Sequence, residues 1–329
     1  MEPKFAIIDL QYYLGRDRVW MNGSVVGIAA VLTAMGCKVD IVDFNIDRWG
    51  DARVQEALLN AEYIGISVVG SPYIPSAIQL TQRLNREFSG KPIILGGKVV
   101  EKLEPYQFKL LFAGTSVVQY RKPADLATFL GVAGSVPSSF EISFIPVWDR
   151  MGDERLKRYM DTEMTLVNAQ GCIYQCEQCG ADKNQRQVWS PREQFYANLS
   201  YLAEKAKDFG LGQLRFYMSD LDATQVKDKI IAQLEILARV RLEMGVDIRV
   251  RCLACTKTFA HIIRACPDFA ELCHRAGMER FGFGVDGTKF TWKEIGKPHN
   301  NEIEIAEVFT YCQQGDLQAE ALLVVGSRA

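Results

Sequence analysis

Three cysteines stand within eight residues of one another, in the run Cys172-Ile-Tyr-Gln-Cys176-Glu-Gln-Cys179. The spacing C-x3-C-x2-C lets three thiols face one centre if the loop that carries them wraps around it. Thiolate sulfur is a soft ligand that selects zinc, copper(I) or an iron–sulfur cluster. A structural zinc site takes four close ligands, and no fourth cysteine or histidine lies near the triplet in sequence. A 4Fe–4S cluster held by three cysteines leaves one iron open for another ligand. A second soft-ligand set is conceivable at Cys252-x2-Cys255, Cys266 and Cys273, with His261 and His274. Cys266 and Cys273, however, lie seven apart in a helical segment, where cysteine serves as a small buried residue. Cys37 and Cys312 read as core or surface thiols. No local Ser–His–Asp or Cys–His arrangement suggests a nucleophile, so the catalytic residue acting on substrate is left unassigned.

The elements around the triplet read as strand–helix repetition. A strand from Met164 empties into the cysteine loop, and Ser190-Pro-Arg-Glu193 has the form of a capping box opening a helix that runs to Phe209. Strands follow at Leu214–Met218, Asp247–Arg251, Arg280–Val285 and Ala321–Val325. Helices fall at Thr224–Met244, Phe259–Ala276 and Asn301–Gln313. Polar residues sit at the carboxyl ends of the strands, Ser219-Asp220 and Asp286-Gly287 among them, where a barrel places its chemistry. The first half also alternates: strands Phe5–Asp9, Lys38–Asp43, Tyr63–Val69 and Ile93–Leu95 are separated by helical segments, with Leu110–Phe112 and Ser116–Val118 as pieces of a fifth strand. Strands separated by single helices imply a parallel, doubly wound sheet. Its ligand edge lies outside the carboxyl ends, at Asp9–Ser24, Ser67–Ser71, Gly96–Lys98 and the region around Gly114. No G-x-G-x-x-G follows the first strand, which weakens a dinucleotide reading. The expected fold is therefore α/β: a doubly wound domain at 1–130, a packed linker at 131–160 carrying Pro137, Pro146 and Trp148, and a partial (βα) TIM-type barrel at 161–329.

Composition excludes several classes. The chain has 329 residues with 48% hydrophobic and 24% charged side chains, as an ordinary folded protein does. Its 38 basic and 40 acidic residues leave a net charge of −2, so no global field draws nucleic acid or an anionic membrane. The N-terminus lacks the basic and apolar regions of a signal peptide, and Gly23–Cys37 is shorter than the roughly 20 residues a membrane span needs. Nine cysteines without an export signal fit reduced thiols or metal ligands and a cytoplasmic setting.

Cys172, Cys176 and Cys179, in a loop after the first barrel strand, resemble the cluster motif of the radical S-adenosylmethionine (radical SAM) enzymes. The resemblance implies a 4Fe–4S cluster whose open iron is chelated by S-adenosylmethionine, which is cleaved to a 5′-deoxyadenosyl radical. The family commonly has an aromatic residue before the third cysteine, where this chain has Gln178; Tyr174 is then the aromatic candidate, with Gly180 also at the cofactor. Phe216–Leu221 resembles the Asp-containing form of the motif that receives the methionine amino group, which implicates Ser219 and Asp220. Phe283-Gly-Val-Asp286-Gly287 resembles the Gly-Val-Glu-Ser element and adds Asp286; Lys297-Pro-His-Asn300 resembles the stretch that follows it. The family's partial barrel has six strands against five here, so its last strand is expected to be missing.

A doubly wound domain ahead of such a barrel implies cobalamin binding, with Ser67, Ser71, Gly96 and Gly97 on the loops that border the corrin and its nucleotide tail. All three histidines, His261, His274 and His299, fall in the second half, so cobalt is expected to carry no imidazole beneath it. The implied activity is that of a cobalamin-dependent radical SAM methyltransferase acting on an unactivated carbon or phosphorus centre. The alternatives are a radical rearrangement or cyclisation with the same cofactors, or a non-catalytic cobalamin or cluster sensor. The implied partners are a small-molecule or peptide substrate and an electron donor such as flavodoxin or ferredoxin, with no nucleic acid and no membrane.

Overall fold

The computed structural model describes residues 2–10, 19–121, 129–130, 141–177, 179 and 186–323. It divides into two units, Met1–Tyr159 and Met160–Ala329. No helix among the described residues is long and apolar enough to cross a membrane.

In the first unit, β1 (Lys4–Asp9), β2 (Lys38–Asp43), β3 (Tyr63–Ser67), β4 (Ile93–Gly96) and β5 (Val117–Gln119) pair in parallel in the order β2-β1-β3-β4-β5. After its first residue β1 is buried throughout, as a strand covered on both faces must be. Ala6 and Ile8 join a core with Val54 and Leu58 of helix Ala52–Asn60 and Ala77, Leu80 and Leu84 of helix Ile74–Glu87. Helix Gly23–Ala34 packs on β1, β2 and helix Ile145–Met151. A second helix, Asp153–Met160, follows, and the first unit runs to its Tyr159. Trp148 and Tyr159, each 1% exposed, anchor them.

The fifth strand differs from the sequence expectation. Leu110 belongs to helix Pro105–Leu111, which Glu104 and Gln107 start through a reciprocal capping box with Pro105 at the first turn. The strand is Val117–Gln119 alone.

The strand order reverses between β1 and β3, which makes their carboxyl ends the switch point of the sheet. A buried acidic network stands beside it. Asn22 Nδ2 donates to Asp9 Oδ1 at 2.9 Å, Tyr159 donates to Asp43 Oδ2 at 2.5 Å, and Asp47 takes Asp43 N at 2.7 Å and Arg53 at 2.6 Å, with Arg155 on its other oxygen. Burial, and then the neighbouring charge of Asp43, push the Asp9 carboxyl up to about 8 against the Asn22 hydrogen bond.

In the second unit, β6 (Met164–Leu166), β9 (Gln213–Met218), β10 (Asp247–Ala254), β11 (Met278–Gly284) and β12 (Gln318–Leu322) are parallel neighbours in chain order. That succession is the wall of a partial barrel. Along β10 every second residue, Ile248, Val250, Cys252 and Ala254, is buried. The alternate positions carry polar groups such as Arg251, which grips Glu163 at 2.7 and 2.6 Å and lies 4.4 Å over the Tyr217 ring. Two helices replace the single segment expected over 259–276: Thr256–Ala265 and Phe269–Ala276, parted at Cys266-Pro267 because proline cannot donate to the ladder. The second ends at Gly277, where φ is +75° and an added Cβ would lie 2.0 Å from Ile248 O. The expected final strand lies earlier, at Gln318–Leu322, and residues 324–329 fall outside the described ones.

Asp9 is protonated in the folded chain over a range where it is ionised in the unfolded one. The unfolded state therefore binds fewer protons, and stability falls as pH rises from about 4 to about 8, then levels. Asp9→Asn keeps the acceptor for Asn22 and removes this loss. Urea unfolding at pH 5 and pH 8.5 should show the variant gaining on the wild type with pH, by at most roughly 1.4 kcal/mol per unit. A pH-independent difference contradicts a protonated Asp9.

Candidate functional site

The cysteine loop springs from a small antiparallel pair that the sequence did not suggest. β7 (Ala169–Gln170) and β8 (Val188–Trp189) pair Ala169 with Trp189 and Gln170 with Val188, closing the neck of the loop. Ser190 N extends the pair by donating to Asn168 O at 2.8 Å. Ser190 is thus engaged in the neck and does not cap the next helix, which starts at Arg192 with Pro191 before it. The neck is tied to the sheet by Asp220, whose Oδ1 accepts Ala169 N at 2.8 Å, and by Ser219, whose amide donates to Leu166 O at 3.0 Å.

The far side of the loop rests on the segment after β11. Glu177 N donates to Ile295 O at 2.9 Å, and the Tyr174 ring stacks on His299 with centroids 3.8 Å apart and planes 20° apart. That segment is fixed in turn: Lys297 pairs with Asp286 and donates to Gly284 O at 3.3 Å, while Asn300 Nδ2 reaches Gly284 O at 2.9 Å and Val285 O at 3.1 Å. Asp286 holds a φ of +50° and is 3% exposed.

The cysteines themselves are partly buried, and all nine in the chain are free thiols. Burial raises the Cys172 and Cys176 thiols, and the charges of fellow cysteines of the triplet push the same way; Lys297 opposes the rise at Cys176. Gln225 Nε2 donates to Cys172 Sγ at 3.5 Å. Among the described residues no three His, Cys, Asp or Glu side chains stand at metal-ligand spacing. A metal would have to deprotonate the thiols and draw them together, as metal binding coupled to local folding does. The donor set suits such an ion: three sulfurs on one short loop, with a lysine beside them to offset thiolate charge.

At the neck, two buried side chains keep unmet polar atoms. Asp220 and Asn168 are both 0% exposed, and among the described residues Asp220 Oδ2 and both side-chain amide atoms of Asn168 have no hydrogen-bond partner. Burial pushes the Asp220 carboxyl up to about 7, with the amides of Ala169 and Asn168 opposing it and the charge of Asp222 adding to it. Buried polar atoms left unpaired are costly, and a ligand amino or carboxylate group would satisfy these. Asp222 is different: its Oδ1 takes Thr224 Oγ1 at 2.8 Å and the amides of Thr224 and Cys255 at 3.1 Å each, and Thr258 Oγ1 reaches Oδ2 at 3.0 Å.

The expected site residues are distributed as follows. Ser219 and Asp220 lie at the carboxyl end of β9, and Asp286 just past β11, committed to Lys297. Tyr174 already has its ring against His299, and its hydroxyl is hydrogen-bonded to Cys255. Gln178 and Gly180 lie outside the described residues. In the other cysteine set, Cys252 and Cys273 are buried core residues. In the first unit, Ser67 ends β3 and Ser71 opens a short 3-10 turn; Val68 N donates to Gly96 O at 2.8 Å, which sets these two loops side by side. Gly97 has φ +106°, and an added Cβ would meet Val68 O at 2.4 Å. Val69, 40% exposed, and Ser71 are both exposed at this edge. Residues 11–18, the first loop of that edge, lie outside the described ones. Asn168 and Gln225 were not singled out by sequence, since an isolated amide side chain has no spacing signature.

No protein-family model matches the sequence, and no curated protein matches it. Solved structures do match in fold. The cobalamin-dependent S-adenosylmethionine radical enzyme OxsB, with aqua-cobalamin and S-adenosylmethionine bound, superposes with a TM-score of 0.75 at 15% identity over 97% of this chain and 48% of that one. OxsB with aqua-cobalamin alone gives 0.73 at 15% identity over 97% and 49%. Its apo form gives 0.71 at 16% identity over 97% and 48%. The chain thus spans about half the length of the structures it matches.

Lys297→Met strands the buried Asp286 carboxylate and should cost about 3–5 kcal/mol. Adding Asp286→Asn removes the stranded charge and should restore much of that loss. Urea unfolding of the single and double variants measures both; equal stability of the two would show that the pair does not hold the segment under the cysteine loop.

Proposed function

We propose that the chain is the cofactor-binding and radical-generating part of a cobalamin-dependent radical SAM enzyme, a methyltransferase acting on an unactivated carbon or phosphorus centre. The observation that carries this reading is the closed cysteine loop with unpaired, buried Asp220 and Asn168 atoms at its neck. The fold shared with OxsB supports it. Cys172, Cys176 and Cys179 would hold a 4Fe–4S cluster, and Asp220 and Asn168 would receive the polar end of S-adenosylmethionine, with Ser219 beside them. Asp286 acts through Lys297, which it positions near Cys176. Domain 1–130 would hold cobalamin on the Ser67–Ser71 and Gly96-Gly97 loops, with 131–160 joining it to the barrel at 161–329. Bound together, these groups supply a carbon radical that removes a substrate hydrogen and a methyl group to replace it.

What this chain's own residues contribute is containment and charge. The β7–β8 neck holds both ends of the loop, the Tyr174–His299 stack braces its middle, and Lys297 lowers the cost of thiolate charge at Cys176. His299 is held neutral, its imidazole pushed down to about 4 by burial and by Lys297 and Lys257, so it braces without adding charge. The substrate is a small molecule or peptide, and a flavodoxin or ferredoxin in the cytoplasm delivers the electron.

Anaerobic reconstitution with iron and sulfide should give about four irons per chain, and alanine at Cys172, Cys176 or Cys179 should abolish incorporation. With reductant and S-adenosylmethionine the loaded protein should release 5′-deoxyadenosine. Zinc in the purified protein, or native iron content in all three variants, would reject the reading. Added cobalamin should bind, and its cobalt(II) spectrum should lack superhyperfine splitting from a nitrogen ligand; such splitting, whether from a histidine or from the cofactor's own base, would contradict the expectation drawn from a first half without histidine.

A further inference from the structure

A cavity of about 370 Å³ opens beside the cysteine loop, lined by Tyr174, Thr224, Gln225, Lys227, Lys257, Thr258, His261, Arg264 and Glu304. Its volume is that of a small-molecule site, but its lining is polar, with one aromatic ring. The charges do not cancel. Glu304 is engaged by Arg264 at 3.5 Å, and Glu307 pairs with the same guanidinium. Among the described residues Lys227 pairs only with the 89% exposed carboxylate of Asp228, at 3.8 Å. Among the described residues no carboxylate lies within ion-pair distance of Lys257. Lys257 is therefore without a paired carboxylate among the described residues, and Lys227 has a weak partner screened by solvent, in a chain whose overall charge is −2.

We propose that this cavity binds the phosphate group of a small molecule, and, resting on the function proposed above, that the phosphate is the handle by which the substrate is held next to the cysteine loop. A phosphate monoester carries roughly −1.5 to −2 at neutral pH, which suits the unpaired Lys257 together with the weakly paired Lys227; a single carboxylate would bring about half that charge. His261 and the Gln225 amide add polar contacts, and lysine ammonium groups suit a phosphate as point charges. The wall nearest the cysteines is built by Gln225, in contact with Cys172 Sγ, and by Tyr174, two residues further along the loop. A ligand held here is thus beside the residues assigned to the cluster.

The test is calorimetric titration of the cluster-free chain, at low ionic strength, with inorganic phosphate and separately with acetate. Phosphate should bind one to one in the millimolar range, on the order of 4 kcal/mol, and acetate at least tenfold more weakly. Lys227→Ala/Lys257→Ala should weaken phosphate at least tenfold, while Lys102→Ala, in the first unit, should leave it unchanged. No phosphate binding, equal affinity for phosphate and acetate, or an unaltered affinity in the double variant overturns the site. The reading beneath it fails separately: phosphate binding without iron incorporation keeps the site and removes its role as a substrate handle. Formation of 5′-deoxyadenosine by a protein that ignores phosphate removes the site alone.

Discussion

Everything proposed for the second unit depends on closing one loop. Seventeen residues separate Gln170 from Val188, and joining the ends of such a segment costs about 2.5 kcal/mol in chain entropy. Two-residue strands alone do not offset that. The anchor is Asp220: its buried carboxylate takes the amide of Ala169 and so fastens β7 to the end of β9. Burying a carboxylate is itself unfavourable, which is why its proton affinity rises to about 7. The same group therefore closes the loop and keeps one oxygen unsatisfied where a ligand would meet it.

Both units concentrate such costly groups at the carboxyl ends of parallel strands, and they do so differently. In the first, Asp9, Asp43 and Asp47 are almost wholly served by Asn22, Asn45, Tyr159, Arg53 and Arg155, and the network fastens the loops after β1 and β2 to the helix ending at Met160. In the second, Asp222 is fully served by threonines and amides, yet Asp220 and Asn168 are not. A saturated network fixes structure; an unsaturated one at a strand end is where a partner from outside the chain can add free energy.

What could be read in advance followed from range. The cysteine triplet is legible because its spacing is local, and the strands are legible because apolar runs such as Phe5–Ile8 and Ile93–Leu95 are buried on both faces. Leu110–Phe112 misleads because a short apolar run does not distinguish strand from helix; the capping box at Glu104 was the deciding signal and lay six residues upstream. Ser190 carries a capping signature that the β8 extension overrides, since its amide is needed by Asn168. The neck, the Tyr174–His299 stack and the Lys297–Asp286 clamp were not legible, because each joins or orients residues through tertiary contacts with no fixed spacing in sequence.

The charge arrangement around the loop then has a consistent logic. Cys172 and Cys176, raised by burial, become thiolates together with Cys179 only if positive charge arrives with them, and much of it must come from the metal. The protein adds Lys297, held close to Cys176, but it holds that lysine with a buried aspartate, so the pair adds little net field until the loop itself becomes negative. His299, which could have supplied a second cation, is kept neutral by the same lysine and by burial. Its ring is left to Tyr174 as an uncharged brace. Lys297 thereby serves both loop position and loop charge, while the Tyr174–His299 stack serves position alone.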